Sequence, residues 1–239
     1  MQRTIEAGTF KRAAEGQVVE LAYRYRKGMT IRYQARMSLR QRIDAGSMST
    51  GTRHEDGDLR VTLKVLEKDE TDGGFYVVIY HDPVSYRIDG VLQQTGPERL
   101  IYAKHDILGR IIESTDASGA NVLLLPGEPI NQGTEWREIQ TFVPPQRTRP
   151  IDVIGTLAVS MVASPLTRID YASKEVEYKG EVPGSLETTF RSSSQGWFDF
   201  DGEAGLLYAL HIETTAHSED NQAQFDMTSL FEMKLESIS

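Results

Sequence analysis

Along residues 31–42 the chain alternates strictly: Ile31, Tyr33, Ala35, Met37 and Leu39 are interleaved with Arg32, Gln34, Arg36, Ser38 and Arg40. Period two over this length predicts a strand with one buried face, because successive strand side chains point to opposite sides. Residues 225–235 repeat the pattern, with Phe225, Met227, Phe231, Met233 and Leu235 on one face and Ser229 its single polar member. Shorter alternations predict strands at 18–26, 59–66, 99–104, 110–114, 122–125, 135–142, 154–162, 169–178, 196–200 and 206–215, with a more continuously apolar one at 75–80. Turn chemistry separates them. Lys27-Gly28 and residues 69–74 read as hairpin turns, residues 44–58 as a polar loop, and the Pro/Gly cluster Pro126, Gly127, Pro129, Gly133 as a mid-chain break. The one helical signal is residues 9–17, with Thr9 as cap and Gly16 as stop.

These elements predict an all-β fold: a large curved antiparallel sheet, an open barrel or a sandwich, of about twelve strands in a single domain over 1–239. Two pseudo-repeat halves, 18–125 and 133–239, have a similar course. Each opens a strand after a Gly and ends in an Asp-turn-Gly hairpin feeding an apolar strand, at residues 106–109 and 201–205. Duplication and the chance likeness of two meanders both account for this.

Three segments carry a resemblance. Residues 21–28 followed by Thr30-Ile31-Arg32-Tyr33, the segment 126–136 with Gly133 and Trp136, and residues 197–207 with Phe198-Asp199 and Gly205-Leu206 are similar to the opening hairpin, the proline-then-Gly-x-x-Trp segment and the late hairpin of a family of bacterial β-rich proteins. That family is defined only as a domain of unknown function, and many of its members are exported or lipid-anchored. The resemblance implies a fold and no chemistry. This chain departs from it in lacking a lipobox Cys and an apolar leader at residues 1–6. That predicts a cytoplasmic protein as written, or an exported or periplasmic one if the sequence is a mature form.

Composition narrows the function classes. The chain has no Cys, so disulfides, thiol nucleophiles and thiolate metal sites are excluded. No apolar run approaches the ~20 residues of a membrane helix. A net charge of −9 argues against generic nucleic-acid binding. The charge is uneven: residues 1–42 hold ten Lys/Arg against three Glu. A basic strand paired with acidic neighbours is the simpler explanation. The alternative is an interaction surface made by Arg24, Arg26, Arg32, Arg36, Arg40 and Arg42, facing a protein partner, a second copy or anionic lipid headgroups.

No catalytic, metal or cofactor residue is assigned. Asp199, Asp201 and Glu203 surround an Asp-Gly turn, but the Gly is misplaced for an EF-hand loop. His54, His81, His105, His211 and His217 lack metal-binding spacing; His211 and His217 would share a strand face about 20 Å apart. His81 and His105 read as strand ends, and residues 192–194 as a polar loop without a nucleophile elbow. The preferred expectation is a non-catalytic binding or scaffold module acting through a sheet face or the basic strand. A carrier holding an apolar or lipid-like ligand in a curved-sheet cavity, and an enzyme whose site forms only in the fold, are the alternatives.

Overall fold

Alternating sequence becomes long strand here, and the strands lie edge to edge in one antiparallel sheet of fourteen. The computed structural model describes residues 2–5, 16–44, 50–93, 98–115, 123–142, 151–181, 187–219 and 224–239. The strands are β1 (Gln2–Ile5), β2 (Thr30–Asp44), β3 (Thr50–Lys68), β4 (Phe75–Ile88), β5 (Val91–Leu92), β6 (Arg99–His105), β7 (Ile111–Ser114), β8 (Glu135–Phe142), β9 (Ile151–Val162), β10 (Leu166–Ser173), β11 (Val176–Glu181), β12 (Glu187–Asp201), β13 (Leu206–Glu219) and β14 (Gln224–Ile238). Their order is β1-β8-β9-β10-β12-β13-β14-β2-β3-β4-β6-β7, with β11 on β12 and β5 on β4. The sheet is open, since the path begins at β1 and ends at β7. There is no helix among the described residues.

The strands of the span 18–125 (β2 to β7) and those of 133–239 (β8 to β14) fill two contiguous stretches of this order. They join where β14 pairs with β2 over almost the whole of both strands.

Register defines two faces. On β2, Ile31, Tyr33, Ala35, Met37 and Leu39 lie opposite Leu63, Val61, Leu59, Gly57 and Glu55 of β3 and, on the other side, Ile238, Leu235, Met233, Phe231 and Ser229 of β14. This inner face carries the core. One cluster joins Ile31, Leu63, Val77, Ile101, Trp136, Leu157, Ile169, Phe198 and Phe200, contributed by strands from β6 at one side to β8 at the other. Strands so distant meet around one core only if the sheet curls.

What fills the curl is irregular chain. Tyr23 stacks on Tyr25 (5.3 Å between ring centroids) and meets Phe200 of β12 edge-on (5.3 Å), while Tyr25 meets Phe75 of β4 edge-on (5.4 Å). Leu123, Leu125 and Ile130 are fully buried beside them, and the Tyr23 hydroxyl donates to the Leu123 carbonyl (3.0 Å). At the opposite end of the inner face a second, smaller cluster packs Ile151, Tyr178, Phe190, Ala216 and Phe225.

Several expectations are corrected. Residues 18–26 form no strand: Leu21, Tyr23 and Tyr25 alternate inward as an insert, and the backbone bonds turns (Tyr23 N–H to Ile107 O, Arg24 N–H to Gly205 O) instead of a ladder, apart from one bridge of Val19 to Ile130. Residues 123–125 are likewise buried without strand pairing. Of the polar loop expected at 44–58, Asp44 ends β2, residues 45–49 lie outside the described residues, and 50–58 form the first half of β3, held by pairing with the second half of β2. Residues 192–194 lie in the middle of β12, His81 lies inside β4 and not at its end, and residues 174–175 divide the expected 169–178 strand into β10 and β11. The helix expected at 9–17 falls mainly outside the described residues.

Candidate functional site

Between the two core clusters the inner face changes character. Reading across the sheet from β10 through β12, β13, β14 and β2 to β3, one row is Tyr171, Gly196, Ile212, Phe231, Met37 and Gly57. The next row, also fixed by register across β12 to β3, is Ser194, Thr214, Ser229, Leu39 and Glu55, and Ser173 of β10 joins it by accepting the Ser194 backbone N–H on its Oγ (2.7 Å). Ile212, Phe231, Met37 and Leu39 are half-buried, and Phe231, Met37 and Leu39 belong to neither cluster. The rows span five strand intervals, about 24 Å along the sheet.

The trough is therefore graded. On its β10–β13 side it is hydroxyl-rich, and Ser194 and Thr214 share a hydrogen bond (2.8 Å). On its β14–β2 side it is apolar, with Met37, Leu39, Phe231 and Met227. At the far margin Glu55 pairs with Arg53 (2.6 Å) and accepts from the Tyr86 hydroxyl, and that hydrogen bond to Glu55 raises the hydroxyl above its usual pKa.

At the hydroxyl side a cleft of about 240 Å³ opens, lined by Gln140, Ile151, Val153, Tyr171, Ser173, Val176, residues 192–194 and Thr214. It forms where the chain turns from β10 into β11. Gly155 shapes it, because a Cβ there would stand 2.5 Å from the Tyr171 ring, so only glycine lets that ring lie across β9. A Cβ at Gly57 would make a tight contact with Met37, whose Cγ lies 3.1 Å from that position. Behind the cleft, the Gln140 amide nitrogen donates to the buried Glu138 carboxyl and to the Tyr171 hydroxyl (3.3 Å).

The arginines singled out in the sequence are divided by the fold. Arg32, Arg36, Arg40 and Arg42 share the outer face of β2 and are exposed. Arg36 lies opposite Asp58 and Glu232, and Arg42 opposite Asp226. Arg24 and Arg26 are on the inserted segment instead, Arg24 packed over Gly205. A second hollow, about 590 Å³, crosses this face between Trp197 and Val84, with Arg36, Asp58, Arg60, Glu232 and Lys234 along it.

The remaining candidates have structural partners. Asp199 forms a two-pronged pair with Arg168 (2.7 Å each), and Arg168 also lies over the Trp197 ring (4.3 Å). Asp201 caps its own turn by accepting from the Glu203 and Ala204 backbones (2.9 and 2.8 Å). His211 and His217 do share the outer face of β13, where Glu232 (3.0 Å) and Asp226 (2.6 Å) receive them. His54 lies 3.3 Å from the Ser38 hydroxyl. His81 is opposite Val61 and Arg99, and His105 ends β6 fully buried. Among the described residues no three His, Asp or Glu side chains are placed to hold a metal ion, and no helix is long and apolar enough to cross a membrane.

The sequence placed Met37, Leu39, Phe231 and Ser229 on buried strand faces but not together as a site, although a signal for the trough exists. Phe190, Ser192, Ser194, Gly196, Phe198 and Phe200 alternate along β12 with large apolar groups at both ends and small ones between.

No family model matches the chain, and no curated protein matches it. A solved structure concerning lipid–protein interactions in lipovitellin is similar to it, with a TM-score of 0.53 and 11% identity over 90% of this chain. The match covers 26% of the lipovitellin chain. At that identity the likeness is one of fold: a large antiparallel β-sheet.

Proposed function

We propose that this protein binds an apolar, lipid-like ligand along the inner face of its sheet. The observation that carries the reading is the group Phe231, Met37 and Leu39, half-buried between two core clusters to which none of them belongs, with Ile212 next to Phe231 at the edge of the larger cluster. Apolar surface of this kind gains about 25 cal/mol per Å² when covered. Methionines at 37, 227 and 233 suit the role, since a flexible thioether adapts to ligands of differing shape. The likeness in fold to lipovitellin, studied for its lipid–protein interactions, supports the same reading.

The test is titration of the purified chain with a fluorescent fatty-chain probe, alongside mass spectrometry of its organic extract. Phe231→Asp places a charge in the middle of the row. It is expected to weaken the probe by at least about tenfold, the loss of one well-covered aromatic contact. An unchanged affinity, or a wild-type chain that takes up no probe, would overturn the proposal.

A further inference from the structure

We infer, resting on the reading above, that the cleft beside Tyr171 receives the uncharged polar head of a single-chain neutral lipid, whose apolar tail lies along the Ile212–Phe231–Met37 row. The size of the cleft is the first argument. At about 240 Å³ it falls below the ~300 Å³ at which whole-ligand sites usually begin, so it can hold a head but not a complete lipid. Continuity with the trough is the second. Thr214 lines the cleft and is the register neighbour of Ser229, which is in turn the neighbour of Leu39, so a molecule anchored in the cleft meets apolar side chains within two strands.

Lining chemistry selects the head. The polar lining residues described for the cleft are Gln140, Tyr171, Ser173, residues 192–194 and Thr214, and none of its described lining side chains is charged. Hydroxyls both donate and accept, which suits glycerol hydroxyls and an ester carbonyl. An ionised carboxylate or phosphate would enter without a countercharge among those lining residues. Burying a charge without a partner is far costlier than burying a hydrogen-bonded hydroxyl.

The experiment compares 1-monooleoylglycerol with oleate at pH 8, which share one tail, by displacement of the fluorescent probe from the full chain. Monooleoylglycerol is expected to bind at least about tenfold more tightly. The double variant Ser194→Ala, Thr214→Val removes two hydroxyls at nearly constant volume. It should weaken monooleoylglycerol about three- to tenfold while leaving oleate unchanged, which also certifies the fold of the variant. Oleate binding as well as or better than monooleoylglycerol, or a double variant that holds monooleoylglycerol as the parent does, overturns the neutral-head assignment and leaves apolar binding standing. If neither lipid displaces the probe, the assignment falls, and if the probe itself never binds, the proposed function falls with it.

Discussion

Lys104 is a lysine 5% exposed, and its surroundings explain how that is tolerated. Its ammonium donates to Asp69 and Asp72 (2.7 Å each), and Tyr76 adds its hydroxyl to Asp69 (3.3 Å), so the β3–β4 turn is fastened to β6. The hydrogen bonds from Lys104 hold both carboxyls below their ordinary range, and the same bonds raise the lysine. The carboxylates' contribution is present above the unfolded value of 3.8 and fades as pH falls through their lower folded values; the lysine's is present below 10.5 and fades only as pH rises through its higher one. Lys104→Met should therefore melt below the parent at pH 7, and the gap should narrow as pH drops below about 4, where aspartates no longer held by Lys104 take up protons while those of the folded parent stay charged. Thermal melts at pH 7, 5 and 3 check this, and a gap that is constant with pH would mean the lysine acts by packing alone. None of this was legible in the sequence, where Asp69 and Asp72 read as turn residues and Lys104 as one end of a strand.

At the scale of elements, the inserted segment is the most informative. Leu21, Tyr23 and Tyr25 carry the period-two signature of a strand, and any extended chain with one side buried has that signature whether or not a ladder partner exists. Periodicity reports burial, and only the backbone's partners report pairing. Tyr23→Ala should cost about 3–5 kcal/mol, because the ring touches both Tyr25 and Phe200 and leaves a cavity at the centre of the curl. Tyr23→Phe should cost about 1 kcal/mol, the hydrogen bond to Leu123. Chemical denaturation of the two variants checks the ratio; equal costs would show the segment to be peripheral.

The long strands β2 and β14 were legible over most of their length, as 31–42 and 225–235, because one face of each is apolar. The first half of β3 was not, because Arg53, Glu55 and Asp56 offer no apolar stripe and are held by pairing with β2. For the trough the same limit holds at a finer grain. Ser229 stood out as the polar member of its face, but only strand register aligns it with Thr214 and Ser194.

For the molecule as a whole, charge is distributed by register. On β2, which lies between β14 and β3, Arg36 faces carboxylates on both neighbours and Arg42 faces Asp226. Arg36→Gln with Arg40→Gln would take the net charge from −9 to −11 and leave Asp58 and Glu232 repelling one another across the strand between them. The expected loss is below about 1 kcal/mol at low salt and smaller still at 0.5 M salt. A melt series in sodium chloride measures it; a difference that grew with salt would point away from charge. The same pair of substitutions probes the interaction-surface alternative, which requires a salt-dependent loss of partner binding.

The seam between β14 and β2 has a temporal consequence. Thr30 and Gln224 are separated by 194 positions, yet they begin the two strands that join the two stretches of the sheet. On a ribosome, β2 emerges early and its hydrophobic alternation waits, with one flank bare, through the synthesis of twelve further strands. Pairings so far apart in sequence form slowly. For that interval the chain is an unfinished edge, exposed to any β-strand or chaperone that reaches it before its own last strand arrives.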